Sequence, residues 1–243
     1  MKVLGIIPAR YNSSRLPGKP LADIMGTSMI QRVYEQASKC KQLRKLIVAT
    51  DDERISFHIK SFGGNVIMTS KNHESGTDRC GEVAEKLEKN FDLIVNIQGD
   101  EPFISPEQIN QVIQLFDEED TQIATLSKRF NNFENFTDEN QVKVKINTDG
   151  FADDFYRNSV INEIEFSERD YFKHIGIYAF KSDVLQKIVN LPKSKTEEEL
   201  NLEQIRWLDN KYKIKVGITE LEALSVDRIE DIEKIVEFHE KNV

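Results

Sequence analysis

Between Pro8 and Leu21 the chain reads PARYNSSRLPGKPL, which sets Arg10, Arg15 and Lys19 among the small residues Ser13, Ser14 and Gly18. Two guanidinium groups and one ammonium, on a loop whose backbone N–H groups can be approached closely, suit a polyphosphate. A solvated basic loop is the competing reading. It is disfavoured because the three cations crowd into one short stretch of a chain with a formal net charge of −9. No G-x-x-x-x-G-K-[ST] occurs and no G-x-G-x-x-G follows the first apolar run, so an ordinary kinase or dehydrogenase site loses its main support. A second centre is Gln98-Gly99-Asp100-Glu101-Pro102. The Gln98 amide both donates and accepts and could bind a base or a sugar hydroxyl. Asp100 could hold Mg²⁺, which proteins bind through one or two carboxylates plus substrate phosphates. Taken alone, QGDEP reads as a turn.

The remaining polar groups have ordinary local explanations beside their chemical ones. Ser75, Gly76, Thr77 and Arg79 open a helical pattern, where a hydroxyl caps and free N–H groups can face a ligand. Asp227 and Glu230 precede an apolar helical run in the form of a capping pair. Asp51 and Asp52 read as caps for the helix containing Ile55 and Ile59, with a glycosyltransferase-like metal site as the competing use. His58, His73 and His239 show no ligand spacing and read as surface residues. Cys40 and Cys80 form no Cys-x-x-Cys pair, which argues against zinc.

These groups need a scaffold that brings loop ends together. Val3–Pro8, Leu46–Thr50, Asn65–Met68 and Leu93–Gln98 are short, nearly continuous apolar runs. Helical spacings separate them: Met29, Ile30, Val33 and Ala37, then Ile55, Ile59 and Phe62, then Val83, Ala84 and Leu87. That alternation predicts a parallel sheet covered by helices on both faces, with ligands beyond the carboxyl ends of its strands. Further on, Ile123–Leu126, Val142–Ile146, Phe151–Tyr156, Ile175–Phe180 and Ile214–Ile218 read as strands, some antiparallel. Asn131–Asn140 reads as loop, and the charged segment from Lys193 leads into one helix ending near Leu208. A final amphipathic helix carries Ile229, Ile232, Ile235, Val236 and Phe238. The expectation is a single α/β domain over residues 1–243, with a nucleotide-binding part to about 127, an acceptor and dimerisation part to about 225, and the last helix beyond.

Composition narrows the classes. With 243 residues, 39% hydrophobic and 31% charged, the chain can bury a core. Its acidity argues against nonspecific duplex binding, which displaces counterions with cationic surface. Two cysteines predict a reducing compartment, hence the cytoplasm. MKVLGIIPAR is broken too early by Pro8 for a signal peptide and reads as a buried strand. No apolar run approaches the ~20 residues that span a bilayer.

PARYNSSRLPGKPL is similar to the N-terminal signature of sugar nucleotidyltransferases, in the form carried by the 3-deoxy-manno-octulosonate (Kdo) cytidylyltransferases. ATDDERI, SGTDR, VNIQGDEP, VKV, HIGIYAF, LEQIR and VDRIEDI follow in that family's order and cover essentially the whole chain. The resemblance implies a three-layer, Rossmann-like nucleotide-diphospho-sugar transferase fold with a mixed, mostly parallel sheet. It implies a homodimer that uses CTP, an eight-carbon sugar acid and Mg²⁺ to make an activated sugar for lipopolysaccharide. It carries Arg10, Arg15, Lys19 and Asp100 over as catalytic, with Arg10, Ser13, Lys19, Ser75, Arg79 and Gln98 on the nucleotide. Asp100 and Asp227 are carried over as metal ligands, and Arg79, Gln98, Arg157, His174, Tyr178, Glu203 and Gln204 as substrate contacts. The family's Pro-Gly-x-Gly-Val-Asp-Thr-Pro-like run is replaced by Leu221–Ile229, and a proline is missing from the stretch Arg157-Asn158-Ser159-Val160-Ile161-Asn162. Both departures fall on the acceptor side. They leave the 8-amino analogue of Kdo, or another 2-keto-3-deoxy sugar acid, as the alternative acceptor.

Overall fold

The computed structural model describes residues 1–13, 15–87, 90–158, 161, 163–166 and 171–242. Ser14, Ser159, Val160 and Asn162, used above, lie outside the described residues. The chain divides into two compact units, one of Met1–Asn110 with Ala223–Val243 and one of Gln111–Glu222.

In the first unit, β1 (Val3–Ala9) is followed by a small hairpin, β2 (Asp23–Ile24) and β3 (Thr27–Ser28), then α1 (Met29–Ser38) and β4 (Leu43–Thr50). Next come α2 (Glu53–Ser61), β5 (Val66–Met68), α3 (Gly76–Lys86), β6 (Leu93–Asn96) and α4 (Pro106–Gln114), the last reaching into the second unit. Strands β6, β1, β4 and β5 pair in parallel in that order, with Ile6 beside Ile47 on one side and Asn96 on the other. Leu4, Ile6, Ile7 and all of β6 are buried, so these strands are covered on both faces, as their apolar runs predict. Helix α1 packs on β1 and β4, α2 on β4 and β5, and α3 on β1, β4 and β6. The helices start on polar caps: Ser28 accepts from the Gln31 N–H, Asp52 from the Arg54 N–H, and Ser75 with Asp78 forms a capping box. The C-terminal helix, Ile229–Asn242, belongs to this unit. Val226 and Ile235 pack with Ile24 and Met29, and His239 stacks on Phe103.

The second unit holds β7 (Ile123–Arg129), α5 (Phe133–Thr137), β8 (Lys143–Ile146), β9 (Ala152–Tyr156), β10 (Phe172–Lys181), α6 (Ser182–Ile188), α7 (Lys195–Leu200), α8 (Glu203–Asp209) and β11 (Ile214–Ile218). β11 runs parallel to β7, while β7 with β10, β10 with β8 and β8 with β9 are antiparallel, so the mixed character falls here. Two expectations change. The stretch Asn131–Asn140 is not all loop: Asn132 caps the short helix α5 by accepting from the Asn135 N–H. The predicted single helix to Leu208 is two, because Asn201 adopts a left-handed φ of 53° and ends α7. Glu197 of α7 and Arg206 of α8 then meet as a buried bidentate pair that ties the two helices together.

Candidate active site

The chain leaves β1 toward β4 and β5, then returns to β6 on the other side of β1. The loops that follow β1 and β6 therefore diverge, which opens a crevice at a topological switch point. Gly99, in the loop after β6, packs against the end of β1: a Cβ there would stand 2.6 Å from the Pro8 carbonyl oxygen, so only glycine fits. The crevice holds a cleft of about 280 Å³, lined from the first unit alone. Arg10, Ser13, Arg15 and Lys19 come from the loop after β1, Gln98, Gly99 and Asp100 from the loop after β6, and Ser75, Gly76 and Arg79 from the start of α3. Asp227 completes it from the approach to the C-terminal helix. Every nucleotide-side and metal-side residue predicted from sequence thus meets in one place.

The basic loop is shaped by its own backbone. Gly18 donates its N–H to the Tyr11 carbonyl at 2.9 Å and takes a φ of 74°, with the Tyr11 ring 3.1 Å from where a Cβ would sit. A tight 3₁₀ turn, Lys19–Leu21, follows at once and buries Pro20. This aims Lys19 inward, where its Nζ donates to Asp100 Oδ2 at 2.7 Å and to the Val226 carbonyl at 2.7 Å, and lies 3.5 Å from Asp227 Oδ1. Arg15 reaches Asp227 Oδ1 at 2.9 Å. Val226 in turn donates its N–H to the Asp100 carbonyl at 2.9 Å, and its side chain is fully buried, so the segment bearing Asp227 is stitched to the Asp100 loop.

Two carboxylates converging on one ammonium are a set of hard oxygen donors already compensated by a cation. Mg²⁺ asks for such a set, one or two carboxylates with phosphate oxygens and water completing the shell, and these residues fit it. Among the described residues no cluster of three or more His, Cys, Asp or Glu could hold a metal by itself, so the ion would need the nucleotide's oxygens too. The cap expected of Asp227 and Glu230 is made instead by Asp231, whose carboxylate accepts the N–H groups of Asp227 (2.9 Å) and Arg228 (2.8 Å). The Asp227 side chain is thereby left to the cleft.

On the opposite wall, Ser75 spends its hydroxyl on the Asp78 N–H, as its capping reading predicts. Arg79 is buried, donates to Thr69 Oγ1 (2.8 Å) and the Ser70 carbonyl (3.0 Å), and pairs with Asp51 at 3.3 Å. Asp52 caps α2, and the Arg54 guanidinium that bonds it lies over the Tyr11 ring. With Asp51 and Asp52 so committed, the glycosyltransferase-like metal site has no carboxylate pair to use. His73, expected on the surface, lines this wall. Nothing in its local spacing signals this, because its partner Glu82 lies nine residues on, in the second turn of α3.

Of the predicted substrate contacts, Arg79 and Gln98 line the cleft of the first unit, and Arg157, His174, Tyr178, Glu203 and Gln204 fall in the second unit. His174 lies on β10 against Phe155 and Tyr178, with Nε2 3.0 Å from Thr125 Oγ1. Burial pushes its imidazole down to about 3, so it is neutral at pH 7. Tyr178 is buried beside Trp207, and burial, then the nearby Glu203 charge, raises its phenol well above the ordinary value. Gln204 is buried on α8. The Arg157 guanidinium donates to the carbonyls of Leu200 (3.4 Å) and Glu139 (3.2 Å). Its own carbonyl is held at 2.7 Å by Lys143, a fully buried lysine whose pKa burial lowers. The acceptor-side departure is stabilised by charge: Glu222 accepts from Lys128 (2.9 Å) and Lys173 (2.8 Å), and the lysines outweigh its burial to hold its carboxyl low.

A mixed, mostly parallel sheet with a basic loop and a carboxylate at its switch point is the architecture of the nucleotide-diphospho-sugar transferase-like class of fold. Within that class the chain belongs to the cytidylyltransferase family, whose profile matches residues 4–215. It is 50% identical to the 3-deoxy-manno-octulosonate cytidylyltransferase of Parabacteroides distasonis over 98% of each chain. It is 44% identical to the 8-amino-3,8-dideoxy-manno-octulosonate cytidylyltransferase of a Shewanella species, over 96% of this chain and 97% of that one. A solved CMP:2-keto-3-deoxy-manno-octonic acid synthetase complexed with CTP superposes over the whole of both chains with a TM-score of 0.92 at 38% identity.

Proposed function

We propose that this protein is a nucleotidyltransferase that moves CMP from CTP to the anomeric hydroxyl of Kdo, giving CMP-Kdo and pyrophosphate for lipopolysaccharide synthesis. The observation that carries this reading is the cluster at the switch point, where Lys19 lies between Asp100 and Asp227 below the loop of Arg10 and Arg15. The hydroxyl gives up its proton to solvent as its oxygen attacks the α-phosphorus, the α–β bridging bond breaks, and its electron pair leaves with pyrophosphate. Arg10, Arg15 and Lys19 offset charge on the β- and γ-phosphates and the leaving group, where preorganised cations contribute most. Asp100 and Asp227 would hold Mg²⁺, which supplies charge neutralisation at the phosphates and a lowered pKa for the attacking hydroxyl. Gln98 and the Ser75–Arg79 wall receive the nucleoside. His174, Tyr178, Glu203, Gln204 and Arg157 of the second unit bind the sugar acid. Relatives of higher identity are named for Kdo, which favours it over the 8-amino analogue.

We also propose a homodimer working in the cytoplasm; no helix among the described residues is long and apolar enough to cross a membrane. The reaction is tested by pyrophosphate release with CTP, Mg²⁺ and a panel of sugar acids. Kdo should be the preferred acceptor, and Asp100→Asn should lower turnover by ~10²-fold or more with the fold intact. Near-wild-type turnover of that variant would remove Asp100 from the chemistry.

A further inference from the structure

His73 lines the cleft, is paired with Glu82 behind it, and has no part in the reaction just described. Glu82 is fixed from several sides: its carboxylate accepts the Ser70 backbone N–H at 2.8 Å, the Lys86 ammonium at 2.6 Å and a hydrogen bond from His73 Nε2. Burial works against its charge, but the hydrogen bonds from Lys86, Ser70 and His73 prevail and bring its pKa to about 2. An ionised carboxylate only accepts, so Nε2 of His73 must carry the proton, and in the neutral ring Nδ1 is then an acceptor.

The charges on the two walls assign the ends of a bound nucleotide. Arg10, Arg15 and Lys19 draw the triphosphate to one side. On the other, Glu74 is an exposed anion, and the Arg79 guanidinium is already bonded to Asp51, Thr69 and Ser70. With Arg79 engaged, that wall competes poorly with the basic loop for phosphate and is left to the neutral nucleoside. We infer that His73, held by Glu82, selects the base: its Nδ1 lone pair accepts a hydrogen bond from an exocyclic amino group, favouring an amino pyrimidine over one with a carbonyl at that position. His73 is the contacting residue and Glu82 its positioning residue.

This inference rests on the nucleotidyl-transfer reading, and calorimetric titration of CTP, UTP and inorganic tripolyphosphate separates the two. Wild-type protein should bind CTP more tightly than UTP. His73→Ala should weaken CTP about tenfold, one hydrogen bond's worth, while moving UTP and tripolyphosphate less than twofold. Glu82→Gln should shift the CTP to UTP ratio in the same direction by a smaller factor. An unchanged ratio in His73→Ala, or equal weakening of CTP and tripolyphosphate, overturns the base-selecting role. Failure of the wild type to bind CTP at all overturns the underlying reading instead. Should His73→Ala not fold, ¹⁵N NMR of the wild type with CTP decides the matter: a neutral ring protonated on Nε2 supports the role, and a proton on Nδ1 overturns it.

Discussion

Replacing Lys19 by Met keeps the length of the side chain but removes the ammonium from between Asp100 and Asp227. The wild-type group makes two bonds of 2.7 Å, to Asp100 and to the Val226 carbonyl, with its side chain only 14% exposed. Hydrogen bonds to charged groups contribute roughly 1.5–3 kcal/mol each in net terms, and the stranded carbonyl adds its own cost. Asp227 is more exposed, and its bond to Arg15 joins two solvated groups, so that contact adds little. Two such bonds set an upper bound of about 3–6 kcal/mol; solvent screening at the Asp100 carboxylate, which is 27% exposed, brings the expected loss to about 2–3 kcal/mol. At roughly 2–4 °C per kcal/mol for a chain of this size, the melting temperature should fall by about 5–10 °C. Thermal denaturation with and without Mg²⁺ reads the effect. Excess Mg²⁺ should restore the variant more than it helps the wild type, because it would neutralise two carboxylates that no longer share a cation. The same variant should lose more affinity for CTP than for CMP. A variant that melts within a degree of the wild type, with or without Mg²⁺, would refute the picture of a cation-dependent carboxylate pair.

Asp227→Asn separates ligation from capping: because Asp231 supplies the cap, the melting temperature should hold while turnover drops at least tenfold, and unchanged turnover would remove Asp227 from the site. Gly99→Ala should destabilise the protein by about 1–3 kcal/mol in denaturant titration, since its Cβ would stand 2.6 Å from a backbone oxygen. Stability should also fall in mild acid through His174. Its folded pKa of about 3 lies below the unfolded value near 6.5, so its contribution is complete above about 6.5 and is lost as pH falls toward 3. The slope reaches at most about 1.4 kcal/mol per pH unit, and His174→Gln should flatten the profile over that window.

How much of this could be read from the chain varies with the physical signal. The strands of the first unit were legible because burial on both faces forces nearly continuous apolar runs, as in Leu4–Ile7 and Leu93–Val95. Helices α5 and α6 have five and seven residues, too few for a helical period to emerge. The division of the predicted helix at Asn201 depends on a left-handed residue that no pattern of side chains announces. The loop of Arg10, Arg15 and Lys19 was legible because charge and small residues coincide. Asp227 reads locally as a cap and was named as a metal ligand only through the family resemblance; the fold shows Asp231 doing the capping and a stitched backbone turning Asp227 toward Lys19. His73 escaped for a similar reason, its meaning resting on Glu82 nine residues on, in the second turn of α3.

The central claim is that the oxygen of the sugar's anomeric hydroxyl attacks the α-phosphorus of CTP in this cleft. Kdo equilibrated in ¹⁸O-water carries label at that oxygen, and ³¹P NMR of its reaction with CTP and Mg²⁺ follows it directly. Pyrophosphate and a phosphodiester whose resonance shows the ¹⁸O isotope shift should form in equal amounts. Release of orthophosphate, unlabelled CMP, or an unchanged triphosphate spectrum would contradict it.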